Sequence, residues 1–214
     1  MSSDDRLRKY YEMVVERNKV MNLTAITDEE EFRIKHFEDS ASITESGVFT
    51  GKGSLIDVGT GAGFPGMVLK ILYPELKVTL ADSLRKRIDF LNEVNEELGL
   101  DCKTVHGRAE DLGRDPRYRE KFDYAAARAV ANMSTLSEYC LPFVKKGGYF
   151  IAYKTPGEAL CEKAVETLGG RIEAVKEFRL PGTDIERALI VVKKVRETPR
   201  IYPRKAGTPS KEPL

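Results

Sequence analysis

Leu55-Ile56-Asp57-Val58-Gly59-Thr60-Gly61-Ala62-Gly63-Phe64-Pro65-Gly66 is the stretch that sets the architecture of this 214-residue chain. An apolar run closes on Asp57-Val58, alternating glycines follow, and apolar residues at helical spacing resume at Met67. That order reads as strand, tight turn and helix, with backbone N–H groups at the helix N-terminus that have no partner inside the helix. Glycine has no Cβ, so the backbone can approach a ligand closely there. The pattern predicts a nucleotide or nucleoside lying across the end of a parallel sheet.

The glycines alone do not choose the nucleotide. Gly61 to Gly66 satisfies the G-x-G-x-x-G pattern of dinucleotide-binding folds, which points to a nicotinamide-dependent oxidoreductase. Read from Asp57, the same residues place a carboxylate just before the turn. A pyrophosphate gains nothing from that negative charge, whereas a cationic ligand does. S-adenosylmethionine carries an ammonium and a sulfonium, so Asp57, with Gly59 and Gly61 in the turn, favours this cofactor. The plainer alternative is that Asp57 hydrogen-bonds loop amides.

A second carboxylate fits either ligand. Lys77-Val78-Thr79-Leu80-Ala81-Asp82 reads as the second strand, and Asp82 at its end is placed to accept from two ribose hydroxyls. Ser83 and Leu84 follow where adenosine would lie. Asp82 also suits the N-cap of a helix starting near Leu84.

Length and composition suit one domain with small extensions: 41% hydrophobic and 32% charged residues. No apolar stretch approaches the roughly 20 residues that span a membrane. Met1 to Asp5 has neither the basic nor the apolar region of a secretory signal. Cys102, Cys140 and Cys161 lack C-x-x-C spacing, so they read as buried thiols of a reducing compartment and not as metal ligands. A cytoplasmic, metal-free monomer is the expectation. Residues 1–50 carry seven Lys/Arg against eleven Asp/Glu, and residues 193–214 seven against two. The basic end hints at a polyanionic partner, though solvated surface charge explains it equally well.

Helical spacing marks residues 4–20, Thr27 with Glu30 reads as a capping box for the next helix, and a further helix covers Phe37 to Thr44. These fifty residues form an N-terminal helical extension. Strands and helices then alternate over 51–196. After the two strands already given come strands at Cys102 to His106, Phe122 to Arg128 and Tyr149 to Lys154. Helices fall at Pro65 to Tyr73, Leu84 to Leu98, Met133 to Leu141 and Gly157 to Leu168. Arg171 to Leu180 and Arg187 to Val195 are joined by a loop too short for a crossover helix, so they pair antiparallel. The tail from Glu197 reads as an extended basic arm. The fold class is therefore α/β, a doubly wound Rossmann-like class I methyltransferase, with a seven-stranded sheet ending in an antiparallel hairpin.

Methyl transfer is an in-line displacement, and the acceptor atom sets what the protein must supply. The residues after the fourth strand, Ala126-Ala127-Arg128-Ala129-Val130, lack the proline and aromatic of amino-group methyltransferases. Carbon-5 pyrimidine chemistry needs a cysteine nucleophile, and no cysteine stands in a strand-end loop motif. A ring nitrogen such as guanine N7 has a free lone pair and needs only alignment and electrostatics. Arg128 and Lys154, at neighbouring strand ends, and the pair Glu186-Arg187 are the candidates to hold acceptor or cofactor. His36 and His106 read as structural or exposed. Arg85-Lys86-Arg87 suit a phosphate backbone or a solvated helix equally.

The ordered set Asn22-Leu23-Thr24, His36 with Asp39-Ser40, the glycine stretch, Asp82-Ser83, Lys86-Arg87, Arg128-Ala129, Lys154 and Glu186-Arg187 resembles the bacterial RsmG (GidB) proteins. These are small-subunit rRNA guanine-N7 methyltransferases. Tyr202 to Pro209 looks like the C-terminal signature of one branch of that family. The resemblance covers nearly the whole chain. It implies transfer of a methyl group to a guanine N7 in the 530 loop of 16S rRNA, as free RNA or in the small ribosomal subunit. It also implies S-adenosylmethionine contacts at Gly59, Phe64, Asp82 to Leu84, Ala109-Glu110 and Arg128. Beside the oxidoreductase, the remaining alternative is a module that holds RNA without catalysis.

Overall fold

The structure, a computed structural model, describes residues 1–128 and 131–214; Ala129 and Val130 of the Arg128-Ala129 motif lie outside the described residues. One seven-stranded sheet runs in the order β3-β2-β1-β4-β5-β7-β6. The strands β1 (Ser54–Val58), β2 (Lys77–Asp82), β3 (Lys103–His106), β4 (Phe122–Ala127) and β5 (Val144–Lys154) are parallel. At the far edge, β6 (Gly170–Arg179) and β7 (Glu186–Lys194) make the expected antiparallel hairpin, with β7 also antiparallel to β5. The sheet order reverses between β1 and β4, and the crevice beyond the strand ends at such a switch point is where α/β sheets bind ligands.

The central strands are apolar along their length because both faces of the sheet are covered. Ala125, Ala126 and Ala127 are completely buried, and Asp57 of β1 and Thr79 and Asp82 of β2 are buried polar residues beside them. One face packs against α1 (Ser3–Met21), α4 (Gly66–Leu72) and α5 (Arg85–Glu97) through Tyr10, Met67 and Phe90. The other packs against α7 (Met133–Cys140) through Met133 and Leu136. No helix among the described residues is long and apolar enough to cross a membrane.

Several local expectations shift. The second helix is capped by Asp28, whose side chain accepts from the Glu31 N–H at 2.9 Å, one residue later than the Thr27 box. The Thr27 carbonyl is engaged instead by the Tyr11 hydroxyl. From α2 (Glu29–Phe32) the chain runs on helically through a π stretch, Arg33–Glu38, then α3 (Asp39–Ala41) and a 3-10 turn, Ser42–Ser46. The two expected helices are thus one path. Pro65 sits at the N-cap of α4 and not in its first turn. β5 begins at Val144 and not at Tyr149, because Lys145 to Gly148 form an irregularity within the β4–β5 ladder. A Cβ on Gly148 would meet the Asp123 carbonyl at 2.5 Å, which keeps that position glycine. Helix α8 (Glu162–Thr167) is shorter than expected, starting after Cys161 in a left-handed conformation. α6 (Ala109–Leu112) is a single turn after β3. The tail is not extended: it folds back over α6 and α7 and ends in α9 (Thr208–Lys211).

Candidate active site

Four glycines of the loop divide into two uses. Gly59 and Gly61 have φ of 72° and 62°, and a Cβ on either would meet nothing closer than 4.0 Å. Their surroundings are open to a ligand. Gly63 and Gly66 are closed: a Cβ would meet the Tyr10 hydroxyl at 2.3 Å in the first and Asp57 at 2.9 Å in the second. Tyr10 donates to the Ala62 carbonyl at 2.5 Å, tying α1 to the turn.

Asp57 is fully buried and performs the plainer of its two expected tasks. Its Oδ2 accepts from Thr60 Oγ1 at 2.6 Å and from the Gly66 N–H at 2.8 Å. Its Oδ1 has no partner among the described residues. Burial pushes the carboxyl up to about 6, against the lowering effect of those two hydrogen bonds and of Arg128. An amide at the start of α4 is therefore already spent on a carboxylate, which disfavours a phosphate there.

Beyond β1, β2 and β3 opens a cavity of about 220 Å³ whose walls include Gly59, Asp82, Ser83, Ala109, Glu110 and Tyr139. Asp82 is almost fully buried; its Oδ2 accepts from the Gly61 N–H (2.9 Å) and Arg87 (3.3 Å), its Oδ1 from the Leu84 N–H (2.9 Å). It does not cap α5; Leu84 occupies that position. Leu84 is 43% exposed and outside the cavity walls, as are Asp57, Gly61 and Phe64. His106 pairs with the Ser83 carbonyl at 3.0 Å.

A second cavity, about 660 Å³, lies over the ends of β4, β5 and β7 and is walled by Lys35, His36, Asp39, Arg128, Lys154 and Arg187 among others. The π stretch places Lys35 and His36 here, and such local rewinding of a helix recurs at functional sites. Asp39 anchors two guanidinium groups, taking Arg128 at 3.0 Å on Oδ2 and Arg187 at 2.8 Å on Oδ1. Arg128 also donates to the Lys35 carbonyl and to His36 Nδ1, each at 3.0 Å, and lies 5.0 Å over the Phe64 ring. Burial, then Arg128 and Lys35, hold His36 down to about 3, so the ring is neutral. Accepting at Nδ1, it carries its proton on Nε2, toward Thr24 Oγ1 at 2.8 Å. Phe64 stacks on His36 at 4.4 Å and serves as its floor. Lys154 donates to the Ala131 carbonyl (2.5 Å) and Glu158 (2.8 Å). Ala131 lines both cavities.

The expected site residues thus gather at one end of the sheet, in two adjoining groups. Gly59, Asp82, Ser83, Ala109 and Glu110 surround the small cavity, and Arg128 and Lys154 the large one. Residue-by-residue reading missed the anchoring role of Asp39; His36, read as structural or exposed, is buried in the cavity wall with both ring nitrogens engaged. The motif His36 with Asp39-Ser40 was the available signal; Asp39 and Arg187 are 148 positions apart, so no spacing reveals the pair.

Residues 3–190 match the GidB family, described as rRNA small subunit methyltransferase G. The chain belongs to this family. A ribosomal RNA small subunit methyltransferase G of Acetivibrio thermocellus is 57% identical over 98% of this chain and 88% of its own. The protein of the same description from Alkaliphilus metalliredigens is 53% identical over 98% and 90%. Among solved structures, TYW2 of M. jannaschii in complex with AdoMet superimposes with a TM-score of 0.55 at 11% identity, covering 72% of this chain and 75% of that one, a likeness of fold. Family membership makes methyl transfer the chemistry to which this site answers.

Proposed function

We propose that this protein transfers a methyl group from S-adenosylmethionine to N7 of a guanine in the 530 loop of 16S rRNA, acting in the cytoplasm on rRNA or the small ribosomal subunit. The observation that carries this reading is the pair of adjoining cavities at the switch point, one walled by carboxylates and one rimmed by cations. The nucleoside side fits the cofactor by its own chemistry: carboxylates at Asp82 and Glu110 in the wall of the small cavity, open space over Gly59 and over Gly61 in the adjoining turn, and, outside that wall, a buried Asp57 Oδ1 with no partner among the described residues. Asp57, Gly59, Gly61, Asp82, Ser83, Ala109 and Glu110 would hold the nucleoside side; Phe64 would act by supporting Arg128, and Leu84 through its backbone N–H on Asp82. When bound, S-adenosylmethionine supplies an electrophilic methyl carbon on sulfonium.

The chain's own contribution is binding and alignment. Arg128, Lys154, Lys35 and Arg187 outnumber the carboxylates Asp39 and Glu158 in the wall of the large cavity, an excess of positive charge suited to a phosphodiester chain. Asp39 fixes two of these cations and prevents their mutual repulsion. His36 has both ring nitrogens engaged and is neutral, so it offers no base, and guanine N7 requires none. Burial pushes the Cys102 thiol up to about 12 and that of Cys140 well above its ordinary value. Neither is a thiolate nucleophile, and none of the cysteines lines either cavity, which speaks against carbon-5 chemistry. Calorimetry tests the cofactor half: S-adenosylhomocysteine should bind and NADH should not. Heat with NADH alone would restore the oxidoreductase reading. Tritium transfer from labelled S-adenosylmethionine to small subunits separates catalysis from mere RNA binding.

A further inference from the structure

Residues 198–214 continue beyond the matched family region and are held to the domain by partly buried polar contacts. Arg119 donates to the carbonyls of Thr198 (2.6 Å) and Tyr202 (2.8 Å), and Arg114 to that of Pro203 (2.7 Å). Arg204 grips Glu138, a fully buried carboxylate of α7, through Nε (3.0 Å), Nη2 (2.7 Å) and its own backbone N–H (2.7 Å). A two-pronged guanidinium–carboxylate pair fixes orientation as well as distance. It delivers the next residues to the wall of the small cavity. There Gly207, at φ of 84°, donates its N–H to Glu110 Oε1 at 2.8 Å. Ser210 Oγ donates to the Gly207 carbonyl at 3.1 Å and closes the turn that presents this amide. Glu110 is 4% exposed, and its Oε2 makes no hydrogen bond among the described residues.

We propose that this C-terminal segment is a working part of the nucleoside site: the Gly207 amide fixes Glu110 so that its second oxygen accepts from the 6-amino group of the bound purine. The inference rests on the S-adenosylmethionine reading. Gly207 and Arg204 are positioning residues, and Glu110 is the group that touches the base. A carboxylate oxygen welcomes the amino group of adenine and repels the carbonyl that replaces it in hypoxanthine. The site therefore discriminates between the two purines, and the segment sustains that discrimination.

Calorimetric titration of S-adenosylhomocysteine and S-inosylhomocysteine reads the effect. The intact protein should prefer the adenosine compound by about tenfold or more, about 1.4 kcal/mol. Glu110→Gln should shift preference toward the inosine compound, because Oε1 accepting from Gly207 turns the amide NH₂ to the base. Arg204→Gln, and a chain ending at Lys205 that keeps the Arg204–Glu138 grip, should each lose most of the preference; thermal melts confirm that they are folded. On the intact chain, the homocysteine product should slow amide exchange across residues 204–210 by tenfold or more. Unchanged preference in the two segment variants, or unchanged exchange in the intact chain, overturns the proposal. Failure of both compounds to bind the intact protein would instead remove the cofactor reading beneath it.

Discussion

Asp57 keeps its charge against the environment that surrounds it. Its folded value of about 6 lies above the ordinary 3.8, so the native state disfavours the carboxylate by about 3 kcal/mol at neutral pH. The sign follows from proton uptake: between 3.8 and about 6 the native state binds more protons than the unfolded chain. The penalty is complete above pH 6 and is relieved as pH falls through that window. Asp57→Asn should therefore raise neutral-pH stability by up to about 3 kcal/mol in thermal or urea melts, while weakening S-adenosylmethionine. Unchanged affinity would strip Asp57 of its role toward the cation. In the wild type, affinity should decline as pH drops through 6, and calorimetry on Asp57→Asn should show that slope absent. Arg128→Ala should lower transfer by about a hundredfold, since the cation that orients the acceptor strand and ties Asp39, His36 and Lys35 into one wall is lost. Lysine at 128 should restore little, because it lacks the fork that spans Asp39, His36 and Lys35. An unaffected rate in Arg128→Ala would remove that residue from the site.

Helices and strands were read well wherever a local pattern decides them. Alternating β/α segments and a hairpin loop too short for a crossover led to the observed sheet, including the antiparallel β6–β7 pair. Element ends were read less well, because neighbours elsewhere in the chain set them. Tyr11 engages the Thr27 carbonyl and Asp28 becomes the cap; Gly148 lies against the Asp123 carbonyl, and β5 starts five residues before the expected Tyr149. The π stretch has no sequence signature, yet it brings His36 and Lys35 to the cavity. The glycine turn is also braced from afar, by α1. Gly63→Ala should cost several kcal/mol in urea melts, because the added methyl meets Tyr10 and Leu91 and the backbone has φ of 109°. Tyr10→Phe, which loses only the hydrogen bond to Ala62, should cost about 1 kcal/mol.

Over the whole molecule, the site is assembled from three regions that the chain keeps far apart. The helical extension supplies His36 and Asp39, the strand ends supply Arg128, Lys154 and Asp82, and the tail reaches Glu110. The strand-end residues were legible because topology alone brings parallel strand ends together. Asp39 with Arg187 and Glu110 with the Gly207 amide were not, since hydrogen bonds across 148 and 97 positions leave no periodicity. The tail's positive charge hints at a polyanionic partner, yet one of its arginines is consumed internally by Glu138. Asp39→Ala should destabilise the protein by about 3 kcal/mol in urea melts, because two guanidinium groups are left facing each other in a half-buried wall. The most direct test of the account is mass mapping of 16S rRNA from unmodified small subunits after incubation with the protein and S-adenosylmethionine. The account predicts one added methyl group, on N7 of a guanine in the 530 loop; a methyl group at another atom or position, or none on subunits and free rRNA alike, would contradict it.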